Sequence, residues 1–306
     1  MRPIDLARPV DDAASPVAMS APVSEEIWTI MRVLQWTQGK FAERGIPTPR
    51  LDAEVLLAQV TGRERIGLYT HFDQPLTADE LATYRVLIKR RLSGEPVAYL
   101  VGKKEFHSLE LAVDARVLIP RPDTETLVEV ALALLPFSDP APRVVDVGVG
   151  SGAVAVAIAV ARPDALVEAV DRSSDAAEVA RANIARHAPS IRVHVGDLLA
   201  PIEGQVQLVV SNPPYIPTGD LEGLQLEVRR EPRVALDGGP DGLDIVRRLV
   251  IEAKGKLVPG GALALEIGHD QAERTAKLLS AAGFVEVARA TDLGGIERVV
   301  SGRLRT

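Results

Sequence analysis

Cysteine is absent from this chain of 306 residues, and histidine is scarce, with only five copies. Without cysteine the chain can form no disulfide, no thiolate zinc site and no cysteine nucleophile. Five scattered histidines also argue against a histidine-based metal site. We therefore expect no metal ion in the functional site.

Long apolar runs are missing as well. Because no stretch approaches the length of a membrane span, we expect no contact with a membrane. The N-terminal residues include Asp5, Asp11 and Asp12 and contain no continuous apolar segment, which argues against a secretory signal. These absences predict a cytoplasmic protein.

The chain also lacks the excess of basic residues that duplex-DNA-binding proteins usually carry. It has 35 lysines and arginines against 42 aspartates and glutamates, for a net charge of −7. Its short basic clusters, Lys89-Arg90-Arg91 and Arg229-Arg230, are typical of solvent-exposed helix faces. The charge argues against nucleic acid as the substrate but leaves that class open.

Hydrophobic spacing divides the chain into four parts. Residues 1–24 are rich in proline, alanine, serine and aspartate and predict a flexible tail. Residues 25–96 show helical periodicity and predict a small helical domain. Residues 97–120 hold short apolar segments between turn residues and predict a β-hairpin linker. Residues 121–306 alternate strand-like and helix-like segments, which predicts a parallel sheet with helices on both faces.

Local signals place several element ends. In the helical domain, Ser24 is the predicted N-cap of the first helix, Gly62 ends the second, and Thr77-Ala78-Asp79-Glu80 opens the third as a capping box. The predicted strands of the last part are Val144–Val147, Val167–Val170, Arg192–Val195, Gln207–Ser211, Ala262–Ile267 and Arg298–Gly302.

A glycine-rich loop, Asp146-Val147-Gly148-Val149-Gly150-Ser151-Gly152, follows the first of these strands. Glycines there permit a tight turn and a close approach of the backbone to a ligand. The next strand ends at Asp171, where an acid can accept hydrogen bonds from both hydroxyls of a ribose. The Gly-x-Gly-x-Gly spacing differs from the dinucleotide form, and a loop that need not hold a pyrophosphate favours S-adenosylmethionine over NAD.

The residues alone leave open the roles of two more acids, Asp146 and Asp197. Asp146 can orient the ammonium group of that cofactor, or it can simply cap the turn. Asp197 follows the third strand and can accept a hydrogen bond from the adenine amino group, with Leu198 packing on the ring. The alternative for Asp197 is a turn aspartate that contacts no ligand.

The segment Asn212-Pro213-Pro214-Tyr215 follows another buried strand, and its prolines hold the backbone extended. The Asn212 side-chain oxygen and the Pro213 carbonyl can each accept one N–H of an NH₂ group, while Tyr215 can stack on a planar target. Such contacts turn the nitrogen lone pair toward a methyl donor, which is catalysis by positioning. We predict catalytic roles for Asn212, Pro213 and Tyr215; the alternative is a rigid loop with a capping asparagine.

With these motifs and several further segments, the chain resembles the HemK/PrmC family, methyltransferases that modify a glutamine of bacterial peptide chain release factors. The resemblance covers about residues 26 to 303. The further segments are Pro49-Arg50-Leu51-Asp52-Ala53-Glu54, Gly94-Glu95-Pro96 with Tyr99, Ile119-Pro120-Arg121-Pro122-Asp123-Thr124-Glu125, Glu231-Pro232, Gly238-Gly239 and Leu265-Glu266-Ile267-Gly268.

The resemblance implies a helical domain that recognises the substrate, a β-hairpin linker and a Rossmann-like methyltransferase domain. It implies S-adenosylmethionine held by Gly148–Gly152, Asp171, Asp197-Leu198 and Asn212. The substrate implied is the glutamine of the Gly-Gly-Gln tip of a class 1 release factor, seated against Asn212, Pro213, Pro214 and Tyr215.

One position departs from the family pattern: Val149 stands where the family's glycine loop usually has threonine. The backbone N–H groups remain, so we expect modest weakening of cofactor binding at most. Two other function classes stay open, a methyltransferase acting on the exocyclic amine of adenine and a binding protein that kept the fold without the activity. We expect a monomer, since the sequence shows no exposed apolar heptad.

Overall fold

The computed structural model describes residues 27–135 and 141–305, so the predicted tail and Ser24 lie outside the described residues. The first helix, α1 (Ile30–Glu43), begins after Thr29, whose side chain accepts a hydrogen bond from the Arg32 backbone N–H. The helix that was predicted to start at Ser24 thus has Thr29 as its N-cap, because Thr29 supplies the acceptor that the first turn needs.

Four more helices pack with α1 and complete what we call the helical module: α2 (Pro49–Thr61), α3 (Arg65–Thr70), α4 (Ala78–Leu92) and α5 (Val97–Val101). Gly62 ends α2 in a left-handed conformation, and Thr77 and Glu80 form both bonds of the capping box that opens α4, as predicted. The buried side chains at the centre include Phe41, Leu56, Leu57, Leu68 and Tyr84. The module extends to Val101, past the predicted boundary at residue 96.

A two-stranded hairpin follows, formed by β1 (Lys103–Phe106) and β2 (Leu109–Ala112). His107 and Ser108 connect the strands, with φ of 49° and 60°. Two left-handed residues match the right-handed twist of the strands and give the tightest hairpin connection. The predicted hairpin is present, and residues 113–119 continue from it without strand structure.

The rest of the described chain forms a seven-stranded sheet. Its strands are β3 (Arg143–Val147), β4 (Leu166–Asp171), β5 (Arg192–Val195), β6 (Val206–Ser211), β7 (Leu257–Glu266), β8 (Phe284–Thr291) and β9 (Glu297–Leu304), in the order β5-β4-β3-β6-β7-β9-β8. The strands from β3 to β7 are parallel, whereas β9 runs antiparallel to both β7 and β8. The sheet that was predicted to be parallel therefore has one antiparallel edge. No helix separates β8 from β9, so the chain returns through a short turn and the two strands must be antiparallel.

Helices cover both faces of the sheet, as predicted. They are α6 (Glu125–Leu134), α7 (Ala153–Ala161), α8 (Ser174–His187), α9 (Asp244–Lys256) and α10 (Ala272–Ala282). The first three share one hydrophobic core with the sheet, and α9 and α10 share the other. In the part of the chain that the structure describes, no helix has the length and apolar character needed to cross a membrane.

The order of strands creates a crevice between β3 and β6. The chain moves from β3 to β4 and β5 on one side and then returns to β6 on the other side of β3. Val147 is level with Ser211 in the register of β3 and β6, so both strands end at the same height. The loops that follow diverge there, and such switch points are where open α/β sheets bind ligands.

Asn183 on α8 ties the hairpin to the sheet domain. Its Oδ1 accepts a hydrogen bond from the Ala112 N–H at 2.7 Å, and its Nδ2 donates to the Ala112 carbonyl at 2.9 Å. Nδ2 also donates to the carbonyl of Ser151 in the glycine loop, at 2.8 Å. Asn183 is 1% exposed. One buried amide thus joins the end of β2 to the crevice.

Candidate active site

A cavity of about 500 Å³ occupies the crevice. Its volume lies in the range of small-molecule sites. All of the predicted site residues line it except Gly152 and Tyr215. Those that do are Asp146, Gly148, Val149, Gly150, Ser151, Asp171, Asp197, Leu198, Asn212, Pro213 and Pro214.

The glycine loop turns tightly against the end of β4. Gly148 and Gly150 have φ of 80° and 53°, and the Gly148 N–H donates to the Val170 carbonyl at 2.8 Å. Gly152 has φ of 88° and faces away from the cavity, where a Cβ would lie 3.6 Å from Ala180 on α8. Gly148 and Gly150 therefore shape the cavity wall, and Gly152 allows α7 to pack closely on α8.

Asp171 is held at the cavity by two backbone groups. Its Oδ2 accepts a hydrogen bond from the Gly150 N–H at 2.9 Å, and its Oδ1 accepts one from the Ser173 N–H at 2.9 Å. Each carboxylate oxygen can accept more than one hydrogen bond. The carboxylate is thus oriented in advance and can still accept from the hydroxyls of a ligand.

Asp146 lies beneath the glycine loop and is 2% exposed. Its Oδ2 accepts a hydrogen bond from the Ala155 N–H in the first turn of α7, at 3.0 Å. Burial raises the pKa of Asp146 to about 7; the Ala155 bond opposes this rise and the nearby Asp171 carboxylate adds to it. Asp146 therefore caps α7, while its contact with a cofactor ammonium group stays a prediction.

The two residues after β5 differ in how they meet the cavity. Leu198 is 9% exposed and has φ of 45°, in the left-handed region that a leucine adopts at a cost of about 1–2 kcal/mol. Asp197 lines the cavity too, but its Oδ2 accepts a hydrogen bond from Arg248 on α9 at 2.5 Å in an exposed ion pair. A ligand amine would have to share the Asp197 carboxylate with Arg248.

Thr124 orients the amide of Asn212, and the sequence did not single it out for this role. The Asn212 Nδ2 donates to Thr124 Oγ1 at 3.2 Å, and Thr124 is 4% exposed. With Nδ2 held in this way, the Asn212 Oδ1 is the atom left to accept a hydrogen bond from a ligand. This is the orientation that binding of an NH₂ group requires.

Glu266, at the end of β7, lies close to the same pair and is 2% exposed. Among the described residues its Oε2 has no hydrogen-bond partner. Burial raises the pKa of Glu266 to about 7, and the Thr124 and Asn212 side chains oppose that rise. A lone acid at the end of an apolar strand was the sequence signal that could have drawn attention to it.

Tyr215 does not line the cavity, and contacts with Gln271 and Gly242 hold the backbone around it in place. The Tyr215 carbonyl accepts a hydrogen bond from Gln271 Nε2 at 2.8 Å, while Gln271 Oε1 accepts one from the Gly268 N–H at 3.0 Å. Gly242 approaches so closely that a Cβ would lie 2.3 Å from the Tyr215 carbonyl oxygen. Burial and the nearby Glu266 carboxylate raise the pKa of Tyr215 to about 12, so its hydroxyl is neutral.

The rim of the cavity is built around Arg121. This residue lines the cavity and donates to Glu231, which is 5% exposed. Glu231 also accepts a hydrogen bond from the Ile119 N–H at 3.0 Å. Val234, which lines the cavity and is 46% exposed, adds an apolar side chain to the rim.

Two family models match separate parts of the chain. Residues 32–102 match the model of the PrmC N-terminal domain, and residues 125–224 match that of the methyltransferase small domain. The release factor glutamine methyltransferase of Geobacter sulfurreducens is 48% identical over 281 residues, which cover 91% of this chain and 98% of that protein. The protein of the same name from Rhodopirellula baltica is 41% identical over 292 residues, which cover 92% and 99%.

The likeness to solved structures concerns the fold. The hMettl16 catalytic domain, solved in complex with the MAT2A 3'UTR hairpin 6, superposes with a TM-score of 0.52 at 15% identity and covers 64% of this chain and 76% of that one. That similarity agrees with the predicted Rossmann-like methyltransferase fold. Since the relatives align along nearly their whole length at more than 40% identity, the chain belongs to the release factor glutamine methyltransferase family.

Proposed function

We propose that the protein transfers a methyl group from S-adenosylmethionine to the side-chain amide nitrogen of a glutamine. The target is the glutamine of the Gly-Gly-Gln motif in class 1 peptide chain release factors, and the reaction takes place in the cytoplasm. The observation that carries the proposal is the Asn212 amide, held through Nδ2 by Thr124 at 3.2 Å beside the glycine loop. The names of the relatives support the same substrate.

The cavity residues fit S-adenosylmethionine. Asp171 would accept from the ribose hydroxyls, since its two oxygens are oriented by the Gly150 and Ser173 N–H groups. Leu198 would pack against the adenine ring, and the left-handed Gly148 and Gly150 let the backbone approach the rest of the molecule. When bound, this cofactor supplies a methyl group on a positively charged sulfur.

The protein side of the reaction is positioning. An amide nitrogen is a weak nucleophile because its lone pair is delocalised into the carbonyl. The Asn212 Oδ1 and the Pro213 carbonyl would each accept one N–H of the glutamine, which fixes the plane of the NH₂ group and turns its lone pair toward the methyl group. Pro213 has no N–H of its own to compete, and Pro214, which lines the cavity, would complete the pocket. Positioning of this kind needs no strong base, because the nitrogen becomes strongly acidic once it carries the methyl group and then loses its extra proton to water.

A mass-spectrometric assay tests the proposal. The protein is incubated with S-adenosylmethionine and a class 1 release factor, beside a release factor whose Gly-Gly-Gln glutamine is replaced by glutamate. One added methyl group, mapped to that glutamine and absent from the replaced copy, is the expected result. Transfer to an adenine-containing oligonucleotide instead would assign the activity to the nucleic-acid class. Binding of the release factor without transfer to either substrate would indicate a binding protein.

A further inference from the structure

Residues 224–237 form a segment, here called the bridging segment, that runs from the helical module to the cavity. It contains two short 3₁₀ turns, Val228–Arg230 and Arg233–Ala235. Its first half contacts α4 and the residues that follow α4, and its second half supplies Pro232, Val234 and Asp237 to the cavity wall. The position of the module therefore bears directly on the shape of the rim.

A buried cation links the module to this segment. Arg91, in the last turn of α4, is 2% exposed, and its Nε donates to Asp52 Oδ2 on α2 at 2.7 Å. Its Nη2 donates to Glu227 of the bridging segment. A guanidinium removed from water is stable only when its charge and its donors are satisfied. Arg91 is therefore shared between a carboxylate of the module and one of the segment, and its Nη1 also donates to the Glu95 carbonyl at 3.3 Å.

Two further contacts fix the same half of the segment. The Arg230 Nη2 donates to the Ser93 carbonyl at 3.0 Å. Leu226 packs so closely on Gly94, which has φ of 90°, that a Cβ at Gly94 would lie 2.4 Å from Leu226 Cδ2. These contacts and the Arg91 pair lie on one face of the module, so the segment is held at several points over a few residues.

The other half of the segment leads to the Asn212 side-chain amide. The Glu231 carboxylate accepts from the Ile119 N–H at 3.0 Å and from Arg121 at the cavity rim. Three residues beyond Arg121, Thr124 accepts from the Asn212 Nδ2. A series of hydrogen bonds and short chain segments thus connects Arg91 of the module to the amide that holds the substrate.

We propose that Arg91 is a positioning residue for the protein substrate, because it holds the bridging segment through Glu227 and so fixes the rim that receives the substrate loop. This inference rests on the proposed function. A loop with two consecutive glycines offers a flexible backbone and few side chains, so the surface that binds it gains affinity from being fixed in advance. The module in this way contributes to recognition of the release factor without touching the reacting atoms.

The test removes the contact between the helical module and the bridging segment and leaves the contacts within the module in place. Glu227→Ala deletes one partner of Arg91 while the buried pair of Arg91 with Asp52 stays. We expect KM for the intact release factor to rise about tenfold, with kcat and the Kd for S-adenosylmethionine within about twofold of wild type. Glu227→Gln keeps a carbonyl acceptor for Arg91 and should recover part of the loss. Glu222→Ala is the matched control, since Glu222 is 85% exposed and pairs only at 4.0 Å with Arg229.

Hydrogen exchange gives a readout that is independent of turnover. Glu227→Ala should speed exchange of the amides of residues 224–231 and leave those of residues 148–152 unchanged. An unchanged KM, a KM that also rises in Glu222→Ala, or unchanged exchange over residues 224–231 would overturn the inference. If the wild-type protein methylates no release factor, the proposed function fails first; normal wild-type activity with an unaffected Glu227→Ala variant defeats the role of Arg91 alone.

Discussion

The substitution Gly242→Ala tests whether close contacts with the backbone hold the Asn-Pro-Pro-Tyr turn in the position that methyl transfer requires. In Gly242→Ala the new Cβ would lie 2.3 Å from the Tyr215 carbonyl oxygen and 2.6 Å from Gln271 Nε2, at φ of 76°. A left-handed alanine costs about 1–2 kcal/mol, and the overpacking adds about 1–3 kcal/mol. The free energy of unfolding should therefore fall by about 2–5 kcal/mol. Because the clash is with backbone, relief has to move the turn, and a shift of about 1 Å should lower kcat about a hundredfold.

Gly45→Ala is the matched control for this experiment. Gly45 has φ of 77°, and its added Cβ would meet no atom within 4 Å. It should lose only the 1–2 kcal/mol of backbone strain and keep full activity. Urea denaturation and steady-state methyl transfer measure both variants. If Gly242→Ala is no less stable than Gly45→Ala, or keeps its kcat, then contact with the Tyr215 carbonyl does not position the turn.

Three other substitutions address single groups of the site. Thr124→Val removes the acceptor that holds the Asn212 Nδ2, so kcat should fall about tenfold with unchanged cofactor affinity in calorimetry; an equal loss of affinity would show that Thr124 builds the cofactor pocket. The pKa of Glu266 is raised from 4.5 in the unfolded chain to about 7 in the folded protein. Between these pH values the folded state keeps a proton that the unfolded state releases. The free energy of unfolding of the wild type should therefore decline by up to about 3 kcal/mol as pH rises through that window. Denaturation of Glu266→Gln should therefore show a stability relative to wild type that increases from pH 5 to pH 8, and a difference independent of pH would refute this assignment. Asp171→Ala should weaken S-adenosylmethionine binding by about 1–3 kcal/mol, and unchanged affinity would contradict the contact with the ribose.

The elements of the crevice were predictable because their signals are local. Helix α7 begins after Gly152, which has a left-handed backbone, and helix α8 begins after Ser173, whose side chain accepts a hydrogen bond from the Ala176 N–H. Loops after neighbouring parallel strands must meet at one edge of the sheet. For that reason, the position of Asp171 and Asn212 at the ends of predicted strands was enough to predict that both line one cavity.

Elements without such a signal were missed. Helix α3 has only six residues, too few to show a helical period. Strand β8 lies at an edge of the sheet, and much of its length is exposed, so its apolar pattern is weak. The turn residues Asp292, Gly294 and Gly295 before β9 were the available sign of an antiparallel return.

The supporting residues of the site depend on tertiary contacts that no local pattern reports. Thr124 meets Asn212 across 88 residues of chain, and Gln271 meets Tyr215 across 56. Neither contact can be inferred from the residue spacing within one segment. Identifying which side chains orient the Asn-Pro-Pro-Tyr turn required the folded structure, whereas identifying the turn itself did not.

The bonds of Asn183 set the tolerance of the hairpin to insertion and deletion. Both polar groups of Ala112 pair with this one side chain, which also holds the Ser151 carbonyl. A residue added or removed within β2 would shift the register by one and turn every side chain of the strand to the opposite face, and it would replace Ala112 at the clamp. A different recognition module should therefore be joined to this catalytic domain on the N-terminal side of β1. The hairpin then stays part of the catalytic domain.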